Sequence, residues 1–258
     1  MQPAYTIVGD PSPVVAVAVH AGHALRPEVA DALALDDASR RREEDPATDR
    51  LVSIVPTQVA VHRSRFEVDL NRPRSDAVYG QPEDAWGLQL WRDPPLPEAV
   101  VERSLDLYDS FYAEVATHVD AVAADGPFVV LDLHSYNHRR GGAPEPSAEN
   151  PDVNVGTGSL DRRRWAPLVD GFMADLSRQT VRGAALDVRE NVRFRGGHFS
   201  AWVNETWPGR GCALAIEFKK TFMDEWTGEV DDDHLDELRA ALATTVPGLL
   251  ASLGAVAA

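Results

Sequence analysis

The sequence predicts a single α/β domain in which a central mixed, mostly parallel sheet is flanked by helices on both faces. Three observations predict it. Residues 14–19 (VVAVAV), 128–133 (FVVLDL) and 212–218 (CALAIEF) are nearly continuous apolar runs, the pattern of strands covered on both faces. Stretches with helical periodicity alternate with the strand-like runs, which argues for one sheet with helices on either side. No repeat and no long linker divides the 258 residues, a length that buries a sizeable core as one domain spanning 1–258.

The first strand, 14–19, ends at His20-Ala21-Gly22-His23. Residues 28–44 read as a helix, broken at Asp45-Pro46 because the residue before a proline avoids the helical region. Residues 51–61 and 66–70 read as strands, with Asn71-Arg72-Pro73-Arg74 as the loop after the second. The Trp- and Pro-bearing stretch 82–97 reads as irregular. The clearest helix is 98–124, where Val101, Leu105, Tyr108, Phe111, Tyr112, Val115, Val119 and Val122 recur at helical spacing. Gly126-Pro127 ends it, and the strand at 128–133 follows. Residues 139–150, with two Gly and two Pro, read as an exposed loop. Residues 160–181 read as a helix, 184–189 as a strand and 193–198 as a Gly-bearing loop. The strand 212–218 carries Glu217 near its end, and 233–253 reads as an amphipathic helix with an acidic first turn that suits the helix dipole.

Apolar residues make up 44% of the chain, an ordinary globular share. The single cysteine, Cys212, excludes an intrachain disulfide framework and a Cys-rich zinc site, so a metal would be held by His, Asp and Glu. It also fits a reducing cytoplasm. The N-terminus shows no basic segment followed by an apolar one, and no apolar run approaches the roughly 18 residues that cross a bilayer. These features lead to the expectation of a cytoplasmic protein without a membrane partner. The formal net charge of −16 disfavours nucleic acid, which needs a basic surface. It leaves room for a small anionic substrate, because a local arginine cluster can reverse the field within one cleft. Nothing in the sequence indicates an oligomeric state.

Polar, chemistry-bearing residues gather at the predicted strand ends: His20, the segment Asp69-Leu70-Asn71-Arg72, His134 and Glu217. In α/β proteins the carboxyl ends of strands are where ligands bind. His134, with Asp132 two residues earlier, stands where a strand-tip imidazole could coordinate a metal. Imidazoles and carboxylates bind zinc, and a catalytic zinc keeps three protein ligands and one open position. A further carboxylate then serves as general base, and Glu217 has the chemistry for it. The plain alternative for Glu217 is an ion pair with Lys219, Lys220 or an arginine.

The motifs resemble those of the N-formylglutamate amidohydrolase (N-formylglutamate deformylase-like) family. They are His20-Ala21-Gly22, Glu44-Asp45, and the long Ser64-Arg65-Phe66-Glu67-Val68-Asp69-Leu70-Asn71-Arg72-Pro73. They continue with Asp132-Leu133-His134-Ser135, Pro151-Asp152-Val153-Asn154-Val155-Gly156 and Arg195-Gly196-Gly197-His198. The series closes with Ile216-Glu217-Phe218 and Phe222-Met223-Asp224-Glu225, in order over about 14–226. The wider resemblance is to zinc carboxypeptidases and aspartoacylases, which implies a phosphorylase/hydrolase-like, zinc carboxypeptidase-like sheet. It also implies one divalent ion, zinc, and a metallohydrolase that cleaves an amide beside a carboxylate in a small N-acyl-amino acid.

The resemblance implies a role for each residue. His20 and His134 are the nitrogen ligands. The third ligand matches Asp45, with Glu44 as its neighbour and rival, whereas the carboxypeptidase pattern points to His23. Glu217 is the general base, Arg65 polarises the carbonyl, and Asp69 is placed to orient a ligand or Arg72. Asn71 and Arg72 grip a substrate carboxylate, Gly196 and Gly197 let backbone approach the substrate, and His198 stands where the family has an aromatic residue. Two further readings stay open: a zinc peptidase or deacylase acting on a larger acyl group, favoured by the 143–150 loop and by Trp86 and Trp91, and an inactive binding protein.

Overall fold

Apolar strands that must hide both faces stack side by side, and the observed sheet is built around them. The computed structural model describes residues 2–257. In chain order the elements are β1 (Tyr5–Val8), β2 (Val14–Ala18), α1 (Pro27–Ala32), α2 (Asp37–Glu43), β3 (Thr57–Val61), α3 (Glu98–Asp125), β4 (Phe128–Tyr136) and β5 (Val153–Gly156). They continue as α4 (Ala166–Ser177), β6 (Thr180–Val181), β7 (Ala184–Ala185), β8 (Val188–Glu190), α5 (His198–Thr206), β9 (Gly211–Lys219), α6 (Asp232–Ala243) and α7 (Val246–Ala257). Seven strands form one sheet in the order β1-β3-β2-β4-β9-β5-β8, and β6 and β7 make a small separate ribbon. The neighbours β3, β2, β4 and β9 run parallel, as do β5 and β8, while β1 on β3 and β5 on β9 are antiparallel. The expected mixed, mostly parallel α/β sheet is the one observed.

Side-chain alternation along each strand divides the core into two layers. Val14, Ala16 and Ala18 of β2, with Leu131 of β4 and Leu214 of β9, pack against α4, α6 and α7. Val15 and Val17, with Val130 and Ala213, pack against Tyr108, Phe111 and Val115 of α3 and Phe199 and Val203 of α5. The second layer has a consequence for chemistry. Along β4 the set 128, 130 continues as Asp132 and His134, and along β9 the residue 213 continues as Ala215 and Glu217. Near the carboxyl ends of the strands, the apolar stripe of this face gives way to acids and an imidazole.

Several local expectations are corrected. Residues 66–70 form turns rather than a strand, with Glu67 N–H donating to the Ser64 carbonyl (2.9 Å) and Asp69 N–H to the Ala77 carbonyl (2.7 Å). Phe66, Glu67, Val68, Asp69 and Leu70 are all buried, so the polar residues of this stretch face the interior along with the apolar ones. Glu67 is matched by Arg26, whose backbone N–H and Nε donate to it at 2.6 and 3.0 Å. The stretch 28–44 is two helices because Asp36 caps a new one, its carboxylate accepting from Ser39 N–H at 2.7 Å. Thr48–Ile54 is a 3-10 helix, and the strand begins only at Thr57, after Pro56. The 160–181 helix is confined to α4, and the 184–189 strand is split into β7 and β8. β1, β5 and α5 were not anticipated, the strands being too short for a period to show.

The stretch Asp232–Ala255 is long and apolar enough by composition to cross a bilayer, contrary to the expectation of no such run. The chain divides it at Thr244-Thr245 into α6 and α7. Leu235, Leu238, Leu242, Leu249 and Leu253 from these helices are buried in the sheet's core.

Leu214→Ala removes a fully buried side chain from the central strand β9. The expected cost is about 2–5 kcal/mol, read as a lower denaturation midpoint in urea. A change under about 1 kcal/mol would mean that this layer is not close-packed.

Candidate metal centre

His20 lies two residues beyond β2, where the chain turns through Ala21-Gly22. A side chain at Gly22 would strike the His62–Arg63 backbone at 2.2–2.6 Å, so glycine allows this turn to lie against the end of β3. Ala24 N–H donates to the His62 carbonyl at 2.9 Å. Asp45 follows α2, and its N–H donates to the His20 carbonyl at 3.0 Å. Its own carbonyl accepts from the Thr48 hydroxyl at 2.7 Å. His134 is fixed within β4, directly opposite Glu217 of β9 in the strand register.

These three side chains converge. His134 Nδ1 is 3.0 Å and His20 Nδ1 3.5 Å from Asp45 Oδ2. The two rings meet edge to face, with centroids 4.9 Å apart. Each imidazole is held at its other nitrogen by a carboxylate: His20 Nε2 by Asp69 at 2.7 Å and His134 Nε2 by Asp132 at 2.9 Å. Asp132 is itself held by the Ser200 hydroxyl at 2.7 Å. Asp69 accepts from Arg65 Nη2 at 2.7 Å, from Asn71 N–H at 2.8 Å and from the Tyr79 hydroxyl. All five of His20, Asp45, Asp69, Asp132 and His134 are buried.

This donor set fits a divalent cation. One donor atom from each of His20, Asp45 and His134 lies within 4.8 Å of the others. Donors about 2.0–2.1 Å from a tetrahedral zinc stand about 3.3 Å apart, close to both histidine–aspartate spacings. The carboxylates behind the imidazoles hold the outer nitrogens and leave both Nδ1 atoms facing a common centre. Burial would raise the Asp45 carboxyl, but the hydrogen bonds and charges of His134 and His20 hold it far below the usual carboxylate range. Burial would lower His134, but Asp132, Asp45 and Glu217 together hold its imidazole well above the ordinary value. The site is short of positive charge, and a proton or a metal ion can supply it.

The rival ligands are accounted for elsewhere. His23 Nδ1 contacts Glu44, whose other carboxylate oxygen accepts from Arg40 at 2.6 Å and from the Ser64 hydroxyl. His23 and Glu44 therefore satisfy one another beside the centre, and Asp45 alone of the three candidates stands with His20 and His134.

Above this centre is a cavity of about 360 Å³ lined by His20, Asp45, His134, Glu217, Arg65, Asn71, Gly196 and Gly197. Glu217 opens onto it, and burial pushes its carboxyl up to about 7, against the opposing pull of His134. Neither Lys219 nor Lys220 pairs with it; Lys219 binds Asp152 and Lys220 binds carbonyls. Arg65 donates to Asp69 and to the Tyr79 hydroxyl (3.1 Å), with its guanidinium 4.9 Å from the Trp86 ring centroid. Asn71 is committed to the fold as well as to the cavity: its Oδ1 accepts from Phe199 N–H at 2.9 Å. A side chain at Gly197 would overlap Asn71 at 2.3–2.5 Å.

Arg72 and His198 do not line the cavity. Arg72 donates to the Asp84 carbonyl at 2.6 Å and lies over the Tyr79 ring, while His198 N–H, at the start of α5, donates to the Asn71 carbonyl at 3.2 Å. The cavity instead carries Arg140, Arg193 and Arg195, to none of which the sequence assigned a role, although Arg195 belongs to one of the motifs. The alternation Arg193-Phe194-Arg195 ahead of two glycines was the available signal. Arg193 and Phe194 are carried on a loop clamped by Asn154, whose Oδ1 accepts from Val192 and Arg193 N–H at 3.0 and 2.9 Å.

A sequence model of the family described as N-formylglutamate amidohydrolase matches residues 12–223. The chain is similar in structure to an N-formylglutamate amidohydrolase from Ralstonia eutropha, with a TM-score of 0.74 at 20% identity, covering 96% of each chain. A gene product from Agrobacterium tumefaciens gives a TM-score of 0.66 at 21% identity, covering 97% of this chain and 96% of that one. A metallo-carboxypeptidase from Burkholderia cenocepacia gives a TM-score of 0.38 at 15% identity, covering 96% of this chain and 60% of its own. No curated protein matches the sequence.

Asp132→Asn keeps the shape behind His134 but removes the charge that orients it. Zinc affinity is expected to fall about 10–100-fold in a chelator competition, and an unchanged affinity would show that Asp132 plays no part in the centre. Glu217 yields a pH-dependent stability. Its folded value of about 7 exceeds the ordinary 4.5, so the folded chain binds the extra proton between those values. The residue then opposes folding increasingly as pH rises through that window, and fully above it. In metal-free protein, Glu217→Gln is expected to raise Tm at about pH 8 and to leave it unchanged below about pH 4.5. An equal shift at both pH values would contradict this.

Proposed function

The chain belongs to the N-formylglutamate amidohydrolase family, and from that premise we propose that it is a zinc-dependent hydrolase of the amide bond in an N-formyl- or N-acyl-amino acid such as N-formylglutamate. The observation that carries this reading is the meeting of His20 Nδ1, His134 Nδ1 and Asp45 beside the carboxylate of Glu217. His20, Asp45 and His134 would hold the ion, which when bound supplies a water acidified toward a pKa of about 7 and a charge that polarises the scissile carbonyl.

The chain's own residues account for the rest. Glu217, with its carboxyl pushed up to about 7, is suited to take a proton near neutrality and return it. It removes a proton from the attacking water and later delivers one to the leaving nitrogen as the C–N bond breaks, giving an amine and a carboxylate. Arg65 is held toward the cavity by Asp69 and Tyr79, where its guanidinium can stabilise negative charge on the carbonyl oxygen. Gly196 and Gly197 keep one wall free of side chains, so that backbone can approach the substrate. Cationic side chains around the cavity suit a substrate carboxylate, in a role the sequence motif had suggested for Asn71 and Arg72.

One observation favours a second reading, a deacylase or peptidase acting on a larger acyl group. The cavity, at about 360 Å³, falls within the range of about 300–1,000 Å³ that holds drug-sized ligands, more room than a formyl group needs, and Trp86 is among its lining residues. Comparing N-formyl-, N-acetyl- and longer acyl-amino acids side by side separates the two readings by kcat/KM.

Glu217→Gln is expected to retain about one zinc per chain while lowering kcat by roughly 100-fold or more. Metal analysis together with product release measures both. Full activity in that variant would remove Glu217 from the mechanism, and wild-type protein that takes up no zinc would remove the metal.

A further inference from the structure

Lys220 is a lysine at the cavity wall with almost no exposure to solvent, only 1%. A buried lysine in such a place suggests a nucleophile or a substrate contact, but its hydrogen bonds point elsewhere. Its ammonium has three protons and three acceptors: the Arg42 carbonyl at 2.7 Å, the Glu44 carbonyl at 2.7 Å and Asn137 Oδ1 at 3.1 Å. No proton is left over for a substrate.

The acceptors are informative. Carbonyls at the end of a helix lack partners within it, and Lys220 supplies one at the end of α2. The Glu44 carbonyl belongs to the peptide unit that leads into Asp45. The N–H of that same unit donates to the His20 carbonyl at 3.0 Å. This single peptide plane is therefore gripped at both ends, by the chain following β2 on one side and the chain following β9 on the other. Asn137, one residue beyond β4, completes the arrangement by donating its Nδ2 to the Arg42 carbonyl at 2.9 Å. The segments that carry His20, His134 and Glu217 are thus tied to the chain that leads into Asp45; two of those ties pass through one ammonium group, which also binds Asn137.

We propose that Lys220 is a positioning residue that sets the Asp45 carboxylate relative to His20, His134 and Glu217 by holding the Glu44–Asp45 peptide plane. The proposal rests on the metal reading of the site. It assigns Lys220 no contact with substrate and no part in proton transfer.

Lys220→Met keeps an unbranched side chain one atom shorter and removes all three hydrogen bonds. Zinc affinity is expected to fall about 10–100-fold by chelator competition. The visible absorption of the cobalt-loaded variant is expected to shift as the Asp45 ligand moves. KM of the residual activity is expected to stay within about twofold, because no substrate contact is lost. A variant that folds and binds zinc with wild-type affinity and a wild-type cobalt spectrum overturns the proposal. Should Lys220→Met fail to fold, Asn137→Ala tests the same arrangement through the carbonyl and the ammonium it orders. A severalfold loss of zinc affinity there supports the proposal, and an unchanged affinity overturns it. Wild-type protein that binds no zinc overturns the metal reading and the proposal with it, whereas wild-type binding matched by both variants overturns the proposal alone.

Discussion

Asp45 shares one carboxylate oxygen between the Nδ1 atoms of His20 and His134, with almost no access to water, and much of the surrounding structure follows from that arrangement. A carboxylate and two imidazoles cannot be buried together cheaply unless every remaining polar atom has a partner. The outer nitrogens of the rings therefore meet Asp69 and Asp132. Those acids in turn need donors, which are Arg65, Tyr79 and the Asn71 N–H on one side and Ser200 on the other. The demand spreads outward in shells until it reaches backbone groups of α5, whose Phe199 N–H is satisfied by Asn71. A chain of buried polar contacts thus links the strand ends to a helix that packs on the sheet.

The apolar core makes that chain rigid. Alternation along β4 places Asp132 and His134 on the layer shared with α3 and α5, and parallel pairing with β9 sets Glu217 opposite His134. A one-residue slip between these strands would turn Glu217 to the other face, where Leu214 and Ile216 are packed. Burying those leucines and isoleucines therefore fixes the distance between the candidate base and the candidate metal centre.

The cavity departs from the charge of the whole. The chain carries a formal charge of −16, yet Arg65, Arg140, Arg193 and Arg195 gather around one opening. Arg65, Arg140 and Arg193 are paired with Asp69, Glu43 and Glu145. Such pairs hold guanidinium groups in place and moderate the field, and a carboxylate entering the cavity would meet several fixed donors.

The sequence by itself determined the fold class, the strand-tip histidines and Glu217, because fully buried strands leave an uninterrupted apolar signature and polar residues at their ends stand out against it. It also carried Asp69 and Asn71 within one long motif, although residues 66–70 of that motif read as a strand. That error has a physical cause: Glu67 and Asp69 are polar yet buried, Glu67 accepting from the distant Arg26 and Asp69 held between Arg65 and the distant His20. Only the tertiary structure decided which of His23, Glu44 and Asp45 joins the two histidines, since the choice rests on His23 and Glu44 satisfying each other. It alone placed Arg72 and His198 outside the cavity and Lys220 at its wall. Contacts of this kind join residues with no fixed spacing along the chain, and so they leave no period in the sequence to read.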